Sequence, residues 1–456
     1  MPQHLPAAFE TQMKRLLGEE GFLKYLAALD EPVTKALRIN LLRRPDGTPP
    51  CDIEGMGECV PWAAGAYFVE GDARPGLSPL HEGGLFYLQE PSALSSASVL
   101  GAAPGEKVLD LCAAPGGKST QLAAMMQGEG LIVCNEPIPS RAQILSRNIE
   151  RMGVKNAVVT CAYPAQLAPH FPAFFDRIMV DAPCSGEGMF RRQIEARNEW
   201  QENSPRGCAD RQLEILEEAA KMLAPGGRMV YSTCTFNDTE NEGVLARFLE
   251  IHPEFSLVPF ALPGLAEAKE GYLHLYPHEI RGEGHFVSLL EKRADAPADD
   301  TAAPAAKKAK KGKSEAGNGK AKLPALPALP DVFAPSVKMK RLHLAGDALW
   351  SLPEGIDAQR LEGLRVLRTG LLLAHAEGKR FEPDHALAMA MKKEDAARSA
   401  ELDAQQALAY QAGEALDLGD LPTGYTLLCH QGVPLGWGKQ AGGMMKNHYP
   451  KGLRRR

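Results

Sequence analysis

The alternation of apolar and polar positions divides the chain into regions with different expected structures. Between residues 86 and 292, short apolar runs alternate with stretches whose apolar residues recur every three or four positions. The apolar runs lie at 108–112, 131–135, 157–160, 177–180, 229–232 and 286–290. Because strands that alternate with amphipathic helices form mostly parallel sheets, this pattern predicts an α/β, Rossmann-like domain over residues 86–292.

The region before this domain and the region directly after it have other patterns. Within residues 1–85, helical spacing over 7–28 precedes an apolar run at 36–42, which predicts one or two helices and then a strand. Residues 293–330 are a low-complexity mixture of Ala, Pro, Lys, Gly and Asp. Such a mixture cannot bury a core, so it predicts a flexible linker.

The C-terminal part of the chain is expected to contain two further domains. Helical spacing at 357–369 and at 386–393 predicts a helical domain over residues 331–400. Residues 401–456 contain shorter apolar runs with intervening turns, which predict a small β-rich domain. These runs lie at 425–430 and 434–438.

Composition narrows the class of protein. Hydrophobic residues make up 44% of the 456 residues and charged residues 24%, as in globular domains. No apolar run approaches the roughly 18 residues that a membrane-spanning helix needs, and the N-terminus lacks the pattern of a signal peptide. The nine cysteines include no CxxC pair, so we expect reduced thiols, no metal site and a cytoplasmic location.

The net charge of −6 conceals an uneven distribution. Residues 301–323 and 439–456 each carry a formal charge of +6, which leaves −18 for the rest of the chain. The basic C-terminal segment is consistent with RNA binding, because lysine and arginine neutralise phosphates. The acidic remainder predicts only modest attraction to arbitrary RNA.

The strongest local signal is the sequence D-L-C-A-A-P-G-G-K-S at 110–119, which joins a predicted strand to a predicted helix. Its small residues allow a ligand to approach the backbone, and N–H groups at the start of the helix attract an anion. The segment lacks the glycines that a P-loop or a dinucleotide-binding fingerprint requires. S-adenosylmethionine therefore fits best, because its carboxylate is a small anion.

A second part of this cofactor site is expected at the tip of the next strand. That strand ends at Asn135 and Glu136, and Glu136 lies 20 residues beyond Gly116. A carboxylate in this position can accept two hydrogen bonds from a ribose diol. We therefore expect Glu136 to bind the ribose of the cofactor; the alternative is a solvated acid at the end of a strand.

Two cysteines follow predicted strands at the same edge of the sheet. Asp181 and Cys184 occur in D-A-P-C-S-G after one strand, and Cys234 occurs in S-T-C-T after the next. The carboxyl ends of parallel strands form the ligand-binding edge of an open α/β sheet. We therefore expect both thiols and Asp181 to lie beside the cofactor loop.

A pair of thiols suits the methylation of a pyrimidine at C5. C5 is a poor nucleophile, but a thiolate that adds to C6 generates an enamine whose C5 can attack a sulfonium methyl group. A base must then remove the C5 proton so that the thiolate can leave, and a carboxyl group near N3 would assist. Spacing alone does not indicate which of the two cysteines attacks.

These motifs, together with R-I-N at 38–40, resemble those of the RNA cytosine-C5 methyltransferases of the Nol/Nop/Sun type. By this resemblance, the residues that cradle S-adenosylmethionine are Cys112, Ala113, Ala114, Pro115, Gly116, Gly117 and Lys118. It also implies that Glu136 binds the ribose and that Asp181 lies between cofactor and base. In this family Cys234 would be the nucleophile and Cys184 the thiol that assists release.

The C-terminal sequence is similar to that of the bacterial 16S rRNA subgroup (RsmF/YebU-like). The segments L-G-W-G-K at 435–439 and K-N-H-Y-P-K-G-L-R at 446–454 resemble its PUA-like RNA-binding domain. The resemblance implies an N-terminal RNA-binding region over 1–85 and a monomer that methylates a cytosine in the decoding region of 16S rRNA. The same chemistry on tRNA and a non-catalytic role in ribosome assembly are the alternatives.

One position departs from the family pattern. The family often carries an aspartate shortly after the third strand, near the adenine of the cofactor. Here Tyr163 occupies the position where that aspartate would align. The contact with the adenine is therefore assigned to no residue.

Overall fold

The computed structural model describes residues 5–296, 332–334, 340–377 and 380–455. The predicted linker at 293–330 lies outside the described residues from position 297 onward. Within the described ranges, no helix has the length and apolar character needed to cross a bilayer.

The N-terminal region consists of a helix followed by an antiparallel sheet. Helix α1 spans Ala7–Leu29, and Gly18 interrupts it with a φ of 70° and a ψ of 172°. The four strands are β1 (Lys35–Ile39), β2 (Met56–Cys59), β3 (Ala66–Val69) and β4 (Phe86–Gln89). Their order in the sheet is β2-β3-β1-β4. The expected succession of helix and strand is confirmed, and β1 and β4 occupy the side of this sheet that meets the next domain.

The central sheet confirms the predicted α/β core. Its strands are β5 (Lys107–Asp110), β6 (Leu131–Asn135), β7 (Ala157–Thr160), β8 (Phe175–Asp181), β9 (Leu223–Thr233), β10 (Phe255–Leu257), β11 (Tyr272–Leu275) and β12 (His285–Lys292). Strands β5 to β9 are parallel in the order β9-β8-β5-β6-β7, and β12 joins β9 in the antiparallel direction. All six apolar runs in the sequence overlap strands of this sheet.

Helices cover both faces of the central sheet. They are α3 (Leu94–Leu100), α4 (Gly117–Met125), α5 (Pro139–Arg151), α6 (Pro164–Leu167), α8 (Ser204–Met222) and α9 (Glu242–Ile251). Helix α2 (Pro79–Glu82) instead packs against β4 of the N-terminal sheet, and α7 (Ile194–Glu199) packs against the 3-10 turn at Glu187–Met189. Leu109 packs in the cluster that contains α8 and α9, whereas Val108 packs in the cluster that contains α4 and α5. Successive strand residues thus bury opposite faces, each side chain contributing roughly 1.5–3 kcal/mol, and this explains the unbroken apolar runs.

The topology places a crevice at the carboxyl edge of β5. This strand lies between β6 and β8, and the helices that follow β5 and β8 pack on opposite faces of the sheet. Where crossovers leave in opposite directions, the loops after the strands separate and leave space for a ligand. The segments that carry the cofactor motif, Asp181 and the two cysteines all emerge at this edge.

The prediction of a helical domain over residues 331–400 is wrong. The described residues of this region form strands β13 (Leu342–Ala345), β14 (Ala348–Ser351), β15 (Val366–Thr369), β16 (Leu371–Glu377) and β17 (Arg380–Pro383), and one α-helix, α10 (His385–Ala390). Strand β15 pairs with β7 and covers that exposed edge of the central sheet. Leu361 and Val366 pack against the catalytic core from a 3-10 turn and a strand, so their apolar spacing is satisfied without a helix.

The last domain forms a small sheet that contacts the N-terminal region. It comprises β18 (Ser399–Glu401), α11 (Ala404–Ala412), β19 (Gly424–His430), β20 (Val433–Ala441) and β21 (Met444–Asn447). Both predicted strands are confirmed within β19 and β20. Trp437 is buried, with its Nε1 donating to the carbonyl of Asp384 at 2.8 Å, so it is a core residue. Gln411 and Arg455 donate to backbone carbonyls of Pro79 and Leu77.

Candidate active site

The loop between β5 and α4 is held close to its neighbours by small residues. Gly116 adopts a φ of 113°, a conformation that favours glycine, and a Cβ there would lie 3.3 Å from Leu145. A Cβ on Gly117 would lie 3.1 Å from the side chain of Gln89. The A-P-G-G turn thus lets the N-terminal sheet and α5 approach the loop from two sides.

Three hydrogen bonds, one with β6 and two with α5, fix the backbone of this loop. The N–H of Ala113 donates to the carbonyl of Asn135 at 2.9 Å. Asn148 donates to the carbonyl of Pro115 at 2.8 Å, and Arg141 donates to that of Ala114 at 3.1 Å. The loop is therefore preformed and does not depend on a ligand for its shape.

A buried arginine joins the N-terminal sheet to the cofactor loop. Arg38 of β1 donates to the carbonyl of Gly117 at 3.1 Å and to the hydroxyl of Thr120 at 2.9 Å. Burial lowers the pKa of Arg38 to about 10, which leaves the guanidinium charged at neutral pH. The R-I-N segment was part of the family resemblance, but its contact with the first turn of α4 was not foreseen.

A cavity of about 680 Å³ lies between this loop and the N-terminal sheet. Its volume falls in the range of ligand pockets. The lining residues of the cofactor motif are Asp110, Cys112, Ala113, Ala114, Pro115, Gly117 and Lys118, and Asp181 and Gln89 line it as well. All predicted residues of the cofactor loop except Gly116 therefore line one cavity, while Gly116 shapes the turn.

Asp110 offers an unsatisfied carboxyl oxygen in this cavity, which sequence reasoning missed. Its Oδ2 accepts a hydrogen bond from Ser119 at 2.6 Å, whereas its buried Oδ1 has no partner within the described protein. Burial raises the pKa of Asp110 to about 7. An unpaired buried acceptor fits the ammonium group of S-adenosylmethionine, and the first turn of α4 presents N–H groups for its carboxylate.

Asp181 lies at the end of β8 in an ion pair with Lys118. Its Oδ2 is 2.9 Å from the Lys118 ammonium, and its Oδ1 accepts a hydrogen bond from Ser232 at 2.9 Å. Burial acts to raise the pKa of Asp181, but the charge of Lys118, the nearby His285 and the hydrogen bonds from Lys118 and Ser232 together outweigh it, so the pKa lies below its ordinary value. Asp181 is therefore ionised at neutral pH and can accept a hydrogen bond from a substrate.

The two predicted cysteines lie side by side. The Sγ atoms of Cys184 and Cys234 are 3.1 Å apart, a contact in which either thiol can donate. The hydrogen bond to Cys234 and burial raise the pKa of Cys184 well above its ordinary value. Cys184 thus retains its proton and can donate it towards the sulfur of Cys234.

Glu136 lies at the end of β6 as predicted, but its carboxylate is already occupied. The side chain is buried, accepts a hydrogen bond from the N–H of Ile138 at 3.0 Å and lies 3.3 Å from Arg141. It does not line the cavity. Tyr163, which aligns with the aspartate of the family, is 66% exposed. Ribose binding by Glu136 therefore stays a prediction.

Two buried acids near the thiols were not expected to contribute. Neither Glu187 nor Glu240 is among the residues predicted from the sequence, yet both are completely buried. Their spacing after Cys184 and Cys234 carries no recognised pattern. The signal that could have identified Glu240 is the unusual density of acids and amides in N-D-T-E-N-E at 237–242, beside an active-site loop.

The parallel sheet, the preformed loop and the cavity with opposite charges define a methyltransferase that uses S-adenosylmethionine. Four family models match the chain: the N-terminal domain of 16S rRNA methyltransferase RsmF (5–91), 16S rRNA methyltransferase RsmB/F (97–291), the RsmF rRNA methyltransferase first C-terminal domain (330–391) and the methyltransferase RsmF PUA domain (397–455). The chain belongs to this RsmB/F family of 16S rRNA methyltransferases.

Similar proteins cover nearly the whole chain. Ribosomal RNA small subunit methyltransferase F of Serratia proteamaculans is 35% identical over 98% of this chain and 96% of its own length. The protein of the same name from Escherichia coli O81 is 34% identical, with 99% and 98% covered. Among solved structures, a methyltransferase homologue from Pyrococcus horikoshii is 28% identical and has a TM-score of 0.52, covering 62% of this chain and 94% of that one.

Proposed function

We propose that the chain transfers a methyl group from S-adenosylmethionine to C5 of a cytosine in the decoding region of 16S rRNA. The observation that carries this proposal is the pair of thiols 3.1 Å apart, next to the ionised Asp181 at the edge of the cofactor cavity. The relatives named above are small-subunit rRNA methyltransferases, which supports the substrate. We further propose that the enzyme acts in the cytoplasm as a monomer.

In the proposed reaction Cys234 is the nucleophile. Its thiolate adds to C6 of the cytosine, and C5 of the resulting enamine attacks the methyl group of the donor. The bond from methyl carbon to sulfonium sulfur breaks as the bond to C5 forms, and the donor leaves as a thioether. The bound cofactor supplies an electrophilic methyl group on a sulfonium. Loss of the C5 proton to solvent then allows the bond between Sγ and C6 to break, which returns the electron pair to Cys234. We assign Cys184 to this release step because its thiol adjoins the sulfur of Cys234 and can donate its proton to the departing thiolate.

Asp181 is suited to recognise the base. An ionised carboxylate accepts a hydrogen bond from the exocyclic amino group of cytosine, which uracil lacks. Lys118 holds this carboxylate at 2.9 Å, and Ser232 fixes its other oxygen at 2.9 Å. The Asp181 carboxylate, held by Lys118, thus supports selection of cytosine. The loop from Cys112 to Lys118, together with Glu136, is proposed to bind the cofactor.

The rim of the cavity supports a large anionic substrate. Lys35, Arg74 and Arg192 line it, are exposed, and form no ion pair within the described part of the chain. Beside them Leu77 is 65% exposed. A cytosine that rotates out of its stack would place its flanking phosphates near such cations, and an apolar side chain can pack against a neighbouring base.

Bisulfite sequencing of 16S rRNA and tRNA from a deletion strain tests the proposal. We expect one or more 5-methylcytosines of 16S rRNA to disappear and to return on expression of the wild-type chain but not of Cys234→Ala. Unchanged 16S rRNA with a lost tRNA signal would assign the same chemistry to tRNA. Unchanged RNA together with no binding of S-adenosylmethionine in calorimetry would favour a non-catalytic assembly factor.

A further inference from the structure

Two buried acids lie in the loops that carry the active-site thiols. Glu187 and Glu240 are both completely buried, and neither forms an ion pair with any residue that the structure describes. A buried carboxyl group without a cation is costly unless several donors satisfy it. The donors that these two acids use are therefore informative.

Glu187 belongs to the Cys184 loop but binds the Cys234 loop. It follows Cys184 by three residues, and its Oε2 accepts hydrogen bonds from the N–H groups of Phe236 at 2.8 Å and Asn237 at 3.0 Å. Its Oε1 accepts from Gln12 of helix α1 at 3.0 Å. The acid of one loop thus fixes the backbone that follows the thiol of the other.

Glu240 makes the reciprocal contact. It belongs to the segment after Cys234, and its Oε2 accepts a hydrogen bond at 3.0 Å from the N–H of Ser185, the residue directly after Cys184. The same oxygen accepts from Gln212 at 2.8 Å, and Gln212 also donates to the carbonyl of Pro183 at 3.0 Å. Glu240 therefore fixes the backbone on both sides of Cys184.

Asn237 connects the two acids to each other. Its Nδ2 lies 3.1 Å from Oε1 of Glu187 and 2.8 Å from Oε1 of Glu240. The N–H of Gly188 donates to the carbonyl of Cys234 at 2.9 Å, and a Cβ on Gly188 would come within 3.0 Å of that oxygen. The two loops are thus cross-linked by neutral donors at several points around the thiols.

We propose that Glu187 and Glu240 are positioning residues that form a crossed clamp, in which the acid of each thiol loop fixes the backbone of the other. The clamp holds the Sγ atoms of Cys184 and Cys234 in contact, with the thiol of Cys184 placed to donate to the sulfur of Cys234. It rests on the proposed function, because it assigns Cys234 to attack and Cys184 to release.

The charge of Glu240 favours the protonated form of Cys184. The hydrogen bond to Cys234, burial and the nearby negative charges, that of Glu240 among them, raise the pKa of Cys184. A thiol that keeps its proton stabilises a neighbouring thiolate by donating to it. The titratable groups that bear on this pair are Cys208, Tyr231 and Glu240, with Lys118 on the side of Cys234.

Replacement of Glu240 by glutamine tests the clamp, because it removes the charge but preserves the size of the side chain. Alkylation of Cys184 by iodoacetamide is followed against pH by mass spectrometry of its peptide in the full-length protein. We expect the midpoint to fall by about one pH unit. We also expect kcat to fall at least about tenfold with the KM for RNA and the affinity for S-adenosylmethionine unchanged.

Glu242→Gln is the matched control. Glu242 lies two residues further along and contacts His274 at 2.6 Å instead of either thiol loop. This variant should keep the wild-type midpoint and kcat. An unchanged alkylation midpoint in Glu240→Gln, or an equal shift in Glu242→Gln, would overturn the proposal.

The double variant separates positioning from a general loss of stability. If both acids hold the same pair of sulfur atoms, Glu187→Gln with Glu240→Gln should lower kcat little more than the more damaging single change. Losses that multiply and follow the fall in Tm would contradict the clamp. If the wild-type chain does not methylate 16S rRNA, the proposed function fails, whereas the alkylation midpoints still report on the clamp.

Discussion

The cofactor side and the thiol side of the central sheet's edge are built on different principles. On the cofactor side, charged groups such as Asp110, Lys118 and Asp181 line a cavity of about 680 Å³. On the thiol side, the carboxyl groups of Glu187 and Glu240 are satisfied by backbone and amide N–H groups, without a cation or a cavity. Charges that a ligand can reach serve binding, whereas a dense network of neutral hydrogen bonds fixes reacting atoms in place.

The largest effects are therefore expected on the thiol side. Cys234→Ala should lower methyl transfer by at least about a thousand-fold, because it removes the thiol that is proposed to form the bond to C6. Cys184→Ala should still form that bond but fail to complete release, so RNA should accumulate as a covalent adduct. Methyl transfer from labelled cofactor and denaturing gel electrophoresis of the protein–RNA adduct measure the two outcomes.

Cofactor affinity provides the control for these variants. Neither cysteine lines the cavity, so both variants should bind S-adenosylmethionine as tightly as the wild type in calorimetry. The distinction between the two thiols would be refuted if Cys184→Ala gave neither an adduct nor any loss of activity.

A smaller, pH-dependent effect is expected on the cofactor side at Asp110. Because burial raises the pKa of Asp110 to about 7, protonation competes with the binding of an ammonium group below that pH. The dissociation constant for S-adenosylmethionine should fall by up to about tenfold between pH 6 and pH 7. In Asp110→Asn this dependence should vanish, and affinity at pH 7.5 should be about tenfold weaker.

The same raised pKa affects stability when no ligand is bound. The folded state keeps a proton on Asp110 that the unfolded state, with an ordinary value of 3.8, has already lost. Its contribution to stability is therefore present below about pH 4 and is lost as the pH rises towards 7.

Asp176→Asn is the control for the affinity measurement. Asp176 lies at the opposite end of the sheet, where it accepts a hydrogen bond from the N–H of Lys107. This variant should leave the pH dependence of the affinity for S-adenosylmethionine unchanged.

The same contrast explains which features the sequence could predict. The strands of the catalytic core were predicted because both faces of each strand are covered, which produces unbroken apolar runs. The proximity of Cys184 and Cys234 followed from a general property of parallel sheets, whose carboxyl ends share one edge. The cofactor loop was recognisable because its function depends on local conformation within about ten residues.

Other features depend on contacts that no local pattern encodes. The segment at 357–369 has apolar spacing suited to a helix. Part of it forms β15 instead, because β7 presents an uncovered edge. These two strands are about 200 residues apart in the sequence. Glu187 binds N–H groups 49 and 50 residues away, so its role is invisible in the local sequence. The pairing of Glu136 with Arg141 is likewise a property of the packed loop and not of the motif.

The smallest predicted effect concerns Glu136, which, like Gly116, is a proposed cofactor residue that does not line the cavity. Its carboxylate is 3.3 Å from Arg141, which also donates to the carbonyl of Ala114 in the cofactor loop. If Glu136 binds the ribose, Glu136→Gln should weaken the affinity for S-adenosylmethionine by about three- to tenfold and leave kcat unchanged.

Arg141→Met distinguishes direct binding from support of the loop. Direct binding of the ribose requires the carboxylate to leave Arg141, so removal of the arginine should leave the affinity unchanged or raise it. If Glu136 acts only by orienting Arg141 towards Ala114, both variants should weaken binding to the same extent, and ribose recognition by Glu136 would be refuted. Calorimetric titration of both variants with S-adenosylmethionine makes the comparison. It determines whether the charges of the cofactor side bind the ligand themselves or only hold the loop that binds it.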